Sequence, residues 1–329
     1  MQDSDAPAIE VVGLTKTYGR GDKAVRALDG VSFTVIPGQV FAVLGPNGAG
    51  KSTTVRILST ISRPDAGTAS VAGYDVRTRP AAVRTGIGYV SQRPGFDPIG
   101  TGRENLVLSA RLRGIGRKEA GRRADDLLAR FGLASAADRL ARTWSGGMQR
   151  KLDVAMGLVH DPKVLFLDEP TTGLDPEARI ELWTEVTRLT RGTGLTVLLT
   201  THYLDEADQM ADQLVIIDHG RIVAEGTPAG LKAGLGGDTV RVELKTADDT
   251  GRTGELLGRL AGVSHVRREG IRLHAQAADA ADLLPRALTE LKRAGIGFTG
   301  ASVARASLDD VYLRYAGRAY SALAGQEAA

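Results

Sequence analysis

Val40-Phe41-Ala42-Val43-Leu44, an apolar run flanked by Pro37-Gly38, passes directly into Gly45-Pro46-Asn47-Gly48-Ala49-Gly50-Lys51-Ser52-Thr53. The run is short and partly β-branched, as in a buried strand. The segment after it has the full Gly-x-x-x-x-Gly-Lys-Ser spacing of a phosphate loop. Three glycines let the backbone curl until successive N–H groups face one anion. Thr53 to Thr60 then reads as the first turns of a helix whose N-terminus points at that anion. Lys51 supplies a point charge for the β/γ-phosphates, and the Ser52 hydroxyl is placed to ligate Mg²⁺. A glycine-rich turn that merely precedes a lysine is the bland alternative. Strand, loop and helix in this order favour a nucleoside triphosphate site.

Alternation of strand and helix continues beyond the loop. Ile9 to Thr15 and Val31 to Ile36 read as strands around a turn at Gly19 to Lys23. Arg63-Pro64-Asp65-Ala66-Gly67 is a turn, and Thr68 to Val71 and Ile87 to Val90 are further strands. Gly100 to Phe131 is Arg/Ala/Leu-rich and helical. Strand character returns at Val164 to Leu167, Thr196 to Thr200 and Leu214 to Ile217, with helices at Ile180 to Arg191 and Asp205 to Ala211. Such alternation implies a mostly parallel, helix-covered sheet.

A joint at Gly234-Leu235-Gly236-Gly237 precedes a different order. Thr239 to Lys245 alternates as a strand, Thr253 to Leu260 is helical, and Val263 to Arg267 can pair with Ile271 to Ala275. A helix over Ala278 to Ala294, a strand near Gly297 to Val303 and a last helix from Leu308 complete it. The expected division is a disordered start over 1–8, a nucleotide domain over 9–233 and an α+β accessory domain over 238–329. Within the nucleotide domain, about 93–150 forms a helical part. The accessory domain shows no catalytic constellation.

Two more segments carry chemistry. Val164-Leu165-Phe166-Leu167-Asp168-Glu169 is an apolar strand ending in two carboxylates, and parallel sheets present ligands at that end of their strands. Asp168 suits Mg²⁺; Glu169 suits a base that aligns an attacking water. Capping of the next turn is the structural alternative. Trp144-Ser145-Gly146-Gly147-Met148 precedes a helix over Gln149 to Val159. Ser145 is an N-cap, and the glycines let N–H groups approach an anion.

Taken together these segments resemble the ATP-binding subunit of an ATP-binding-cassette transporter over roughly Ile9 to Gly230. The resemblance makes Gly45 to Thr53 the phosphate loop, Gln92 the glutamine-loop residue, and Trp144 to Met148 the signature. It makes Val164 to Glu169 the second acidic strand, Gly173-Leu174-Asp175 the loop after it, and Thr201-His202 the histidine switch. Tyr18 takes the position that stacks on adenine. The signature departs at both ends, with Trp144 for the usual Leu and Met148 for the usual Gln. The resemblance implies a P-loop NTPase cassette with an antiparallel β part. It also implies ATP and Mg²⁺ as cofactors, with Ser52, Gln92 and Asp168 around the metal and Glu169, His202 and Gln92 catalytic. It further implies a head-to-tail, ATP-dependent homodimer in which Ser145, Gly146, Gly147 and Asp175 of one copy face the phosphate loop of the other.

Met after Ser-Gly-Gly, the run Gln149-Arg150-Lys151-Leu152-Asp153 and the ending Ser307-Leu308-Asp309-Asp310-Val311-Tyr312 resemble the daunorubicin-resistance type of bacterial drug exporter. A separate integral-membrane permease is the implied partner, with this chain cytoplasmic and peripheral on the inner face of the membrane. A soluble cassette acting on ribosome or DNA is the alternative, disfavoured by a single motif set. The stretch between Lys51 and Asp168 is also too short for coiled-coil arms. The lack of cysteine excludes disulfides and thiolate metal sites but leaves the compartment open, and a net charge of +3 gives no argument for nucleic acid. No start of the signal-peptide kind is seen, and nowhere do about 18 apolar residues run together. Charge is nevertheless uneven. Twelve basic residues face five acidic ones between 103 and 151. A solvated helix face explains that block; a face held near anionic lipid or an acidic partner is the sharper reading, and permease docking is expected there near Gln92.

Overall fold

The computed structural model describes residues 6–235 and 237–316, apart from the Asp22 side chain. The chain falls into two compact units, 1–225 and 226–329. Of the expected disordered start, 1–5 lie outside the described residues. Ala8 is buried and donates its N–H to the Val35 carbonyl.

In the first unit, β1 (Ile9–Tyr18) and β2 (Val25–Val35) form a long antiparallel pair. Strand β3 (Val40–Leu44) leads into helix α1 (Lys51–Leu58). Strands β4 (Ala66–Val71) and β5 (Tyr74–Asp75) extend the first pair into a sheet of order β2-β1-β4-β5. Helix α2 (Pro80–Gly86) enters β6 (Ile87–Val90), and α3 (Gly102–Leu112), α4 (Arg117–Arg130) and α5 (Gly146–Leu158) follow. The rest alternates: β7 (Val164–Asp168), α6 (Pro176–Thr193), β8 (Thr196–Thr201), α7 (Leu204–Met210), β9 (Gln213–Asp218) and β10 (Arg221–Gly226).

Six strands make the second sheet in the order β10-β9-β3-β8-β7-β6, with β9-β3-β8-β7-β6 parallel throughout. Every residue of β3 and β7 is buried, which is why both read as unbroken apolar runs. Phe33 of β2 stacks on Phe41 of β3 with ring centroids 5.1 Å apart, so one core joins the two sheets. The fold is a P-loop NTPase cassette, helix-covered and mostly parallel, with an antiparallel β part.

Several elements run past their expected limits. Strand β2 begins at Val25, its first half held by pairing with Lys16 to Tyr18 of β1; of Val25 to Gly30 only Leu28 is buried, so no regular apolar alternation marks it. Helix α1 begins at Lys51 rather than Thr53, since Gly50 caps it at φ 114°. Strand β10 gave no signal; it is set by the two-residue turn His219-Gly220, both left-handed at φ 47° and 75°.

Three arginines of the basic block are paired with nearby carboxylates. Arg103 pairs with Asp125 and Asp138, Arg122 with Glu119 and Asp126, and Arg123 with Glu119 and Asp161. These partners favour the solvated-face reading for those three arginines.

Trp144 is buried, and its indole occupies the space a side chain would need at Gly102, the first residue of α3. A Cβ there would meet Trp144 Cη2 at 2.2 Å. Trp144 thus serves packing between the signature and the helical part. Gly102→Ala should cost about 1–3 kcal/mol in urea unfolding, the usual scale of overpacking. A melting curve superimposable on the parent's would refute this fit.

The second unit holds α8 (Pro228–Ala233), β11 (Asp238–Leu244), α9 (Thr250–Gly258), β12 (Val263–Glu269), β13 (Arg272–Ala277), α10 (Ala280–Arg293), β14 (Phe298–Ala304) and α11 (Leu308–Ala316). Its sheet, β12-β13-β11-β14, is antiparallel. Val240, Val242, Leu244, Leu273 and Ala275 pack with Leu257 of α9 and Leu283, Ala287 and Leu291 of α10. The unit begins before the glycine joint because α8 packs on α11, and Arg314 donates to the Gly234 carbonyl at 2.7 Å. Gly236 of that joint lies outside the described residues.

Candidate nucleotide site

Strand order builds the site. Strand β8 lies between β3 and β7, with Leu44 in register with Thr201 and Asp168 with Thr200. Three neighbouring strands therefore end side by side, delivering the phosphate loop, His202 and the carboxylate pair to one rim. A cleft of about 650 Å³ opens there. Asn47, Gly48, Gly50, Lys51, Ser52 and Thr53 line it, with Gln92, Glu169 and His202 opposite.

The loop's glycines are sterically demanded. At Gly50 a Cβ would lie 2.5 Å from the Ala27 carbonyl oxygen; at Gly45 one would lie 2.2 Å from that of Ile217. Pro46 and Ala49 close the loop, the Ala49 N–H donating to the Pro46 carbonyl. Lys51 is buried. Its Nζ donates to the carbonyls of Gly45 at 2.8 Å and Pro46 at 3.2 Å, and lies 3.2 Å from Glu169 Oε1.

Asp168 Oδ1 accepts from Ser52 Oγ at 3.1 Å and Thr200 Oγ1 at 2.7 Å. Glu169 follows at φ 47°, a left-handed turn that swings its carboxylate off the strand; its N–H is taken by the Thr200 carbonyl and hydroxyl. Glu169 Oε2 accepts from Gln92 Nε2 at 3.3 Å and lies 3.3 Å from His202 Nδ1. The His202 ring beside it, together with the Lys51 ammonium, holds the Glu169 carboxyl below its usual range against the upward push of burial. These neighbours hold the carboxylate in its ionised form at neutral pH.

Not every expected residue lines this cleft. Tyr18 ends β1 about 40% exposed, with Lys16 Nζ 5.5 Å from its ring centroid, and its register partner Val25 lines the cleft instead. Ser145 caps α5, accepting from the Met148 N–H at 3.3 Å, and Asp175 caps α6, accepting from the Ala178 N–H at 2.8 Å. Ser145 and Gly146 are exposed, while Gly147 sits where a Cβ would come 2.7 Å from Ala178 Cβ. Neither cap faces its own chain's cleft. Next to Met148, Gln149 turns inward and donates to the Ala141 and Trp144 carbonyls.

Three further residues brace the site although no sequence pattern assigns them a role there. Thr200 bridges the two acidic residues, as above. Buried Glu206 accepts from Thr171 and from Thr201 Oγ1 and pairs with Arg179, tying the segments on either side of His202 and Glu169. Arg150 of α5, also buried, reaches three backbone carbonyls around the site. Arg150 is legible in the sequence only as part of the run Gln149 to Asp153, and no spacing joins any of the three to its partners, so only the packed structure brings out their roles.

Residues 28–172 match the ABC transporter family. The whole chain aligns with 98% of the daunorubicin/doxorubicin resistance ATP-binding protein of Streptomyces peucetius at 44% identity. A daunorubicin resistance ATP-binding protein of Streptomyces coeruleorubidus is 47% identical over 94% of this chain and 96% of its own. Among solved structures, the dimeric structure of a bacterial ABC transporter cassette superposes with a TM-score of 0.61 at 25% identity, covering 67% of this chain and 98% of that one. Full-length likeness to transporter proteins favours the transport reading over a soluble cassette. The chain belongs to the ATP-hydrolysing, ATP-binding proteins of ABC transporters.

Proposed function

We propose that this chain is the motor subunit of a two-component exporter, hydrolysing Mg·ATP to drive a small drug-like molecule through a separate membrane permease. The cleft that gathers Lys51, Ser52, Glu169, Gln92 and His202, with buried Asp168 behind Ser52, carries the ATPase part. Full-length likeness to daunorubicin-resistance proteins carries the export part. Among the described residues no helix is long and apolar enough to cross a membrane, in keeping with a partner that supplies the pore.

The donors fit Mg²⁺: a hydroxyl, Ser52 Oγ, beside a carboxylate, Asp168 Oδ1, are the hard oxygens it takes, and it draws the rest from phosphates and water. Gln92 would add its amide oxygen. Once bound, the ion would neutralise charge on the β- and γ-phosphates. The chain's own residues do the rest. Phosphate-loop N–H groups and Lys51 hold the triphosphate, Glu169 aligns the water and takes its proton, and His202 fixes Glu169 while donating toward the γ-phosphate.

In this reading Ser145, Gly146, Gly147 and Asp175 serve the site of a second copy bound head to tail, and Tyr18 stacks on adenine. We read the first unit as a nucleotide domain with a helical part and the second, which starts before the glycine joint, as an accessory domain. The chain acts on the inner face of the cell membrane, held there by the permease. Docking falls on the helical part, where Leu108 and Leu112 are exposed at 52% and 79%.

Deleting the gene should raise the cell's accumulation of daunorubicin several-fold, read by its fluorescence. Unchanged accumulation removes the drug-export reading while leaving ATP hydrolysis standing.

A further inference from the structure

Arg150 is buried, yet the nucleotide chemistry above makes no use of it. It lies on α5 five residues after Ser145, about 7.5 Å along the helix at 1.5 Å per residue. Its guanidinium leaves that helix and grips three carbonyls: Nε donates to Pro170 at 2.6 Å, Nη1 to Ser91 at 2.7 Å and Nη2 to Asp168 at 3.4 Å. Ser91 immediately precedes Gln92; Asp168 and Pro170 flank Glu169. Asp153, one turn on, lies 3.7 Å from Arg150 and accepts from the Gly95 N–H at 2.9 Å, binding the same loop to the same helix. Burial lowers the Arg150 pKa from its ordinary value, but an arginine starts high enough to keep its charge.

We propose that Arg150 is a positioning residue that couples the two nucleotide sites of the dimer. The inference rests on the head-to-tail reading given above. Gln92 and Glu169 respond to the nucleotide of their own chain, whereas Ser145 and Gly146 at the head of α5 serve the nucleotide of the partner. Arg150 ties the backbone of the first pair to the helix of the second. A shift of Gln92 or Glu169 on binding Mg·ATP moves carbonyls that the guanidinium holds, so occupancy of one site re-aims the surface completing the other. A planar fork with fixed donors can hold three carbonyls at once; a lysine ammonium on a flexible stem cannot keep that geometry.

The test is the ATPase rate of the full chain as a function of Mg·ATP concentration. The parent protein should give a Hill coefficient well above 1, toward the limit of about 2 set by two sites. Arg150→Lys and Arg150→Gln should bring it to about 1 and lower kcat several-fold, with the Mg·ATP-driven dimer of the Glu169→Gln background still forming on size exclusion. A purely structural role would lower the melting midpoint and the active fraction without changing the Hill coefficient. A parent coefficient of 1, or a folded Arg150→Lys protein as cooperative as the parent, overturns the proposal. Should neither Arg150 variant fold, Asp153→Asn reads the same coupling, since it removes the counter-charge 3.7 Å from the guanidinium and weakens the acceptor that ties the Gly95 N–H to this helix, and full cooperativity there also overturns it. Absence of any Mg·ATP-dependent dimer would instead defeat the head-to-tail reading.

Discussion

Glu169→Gln is expected to lower the ATPase rate roughly 10²–10⁴-fold, the range for removal of a positioned general base. Nucleotide binding should survive. The amide has the same size and keeps an oxygen for Lys51 Nζ, 3.2 Å from Oε1, while the Gln92 and His202 contacts at Oε2 can rearrange around it. What disappears is the capacity to take the water's proton. Lys51 and His202 both favour the ionised carboxylate, so the parent is in its acceptor form at neutral pH. A weak base results until phosphate arrives. A bound triphosphate would compete for Lys51 and place negative charge beside Glu169, and both act to raise its pKa, against the opposing charge of Mg²⁺. The check is phosphate release with saturating Mg·ATP beside equilibrium binding of a fluorescent ATP analogue. Equal turnover in parent and variant would show that another group takes the proton.

Lys51→Ala should fail in the opposite way, losing the nucleotide itself. The Nζ sits at the mouth of the loop, held by the Gly45 and Pro46 carbonyls, where a β/γ-phosphate oxygen must come. Removing one preorganised oxyanion-hole donor costs roughly 10²–10³-fold in kcat, and loss of a full charge aimed at phosphate should cost at least as much. Here the loss should fall on ATP affinity as well as turnover, because the same ammonium serves ground and transition states. The variant should also be somewhat less stable, since buried Glu169 loses a counter-charge while retaining Gln92 and His202. Isothermal titration with Mg·ATP separates the two variants: Glu169→Gln binds and Lys51→Ala does not. Parent-like affinity in Lys51→Ala would mean that the triphosphate lies elsewhere.

Much of the cassette is legible in single segments. Val40 to Leu44 and Val164 to Asp168 are buried on both faces, so an unbroken apolar run identifies each without reference to neighbours. Gly45, Gly50 and Lys51 can be read because a loop that wraps phosphate tolerates few other residues, and the steric clashes at Gly45 and Gly50 are the physical form of that intolerance. Strands governed by pairing were harder. The first half of β2 and the short β10 offer only isolated buried residues, Leu28 and Ala224, with no alternating apolar run to announce them, and are held by register and by the turn at His219-Gly220.

The site divides in the same way. Residue types whose chemistry is tied to a fixed chain spacing, such as Lys51-Ser52 or Asp168-Glu169, could be assigned from local pattern, because a loop or strand end presents them together wherever it is folded. Arg150, Thr200 and Glu206 could not, for their partners lie at Ser91 and Pro170, at Asp168, and at Thr171 and Arg179. Trp144 is the same case, an unexplained departure until Gly102 is seen beneath its ring. Short-range order writes the phosphate grip into the chain, whereas the bracing around it arises when strands β3, β8 and β7 are laid side by side. Hydrogen bonds between residues far apart in sequence leave no periodic trace, so that bracing shows only in the folded chain.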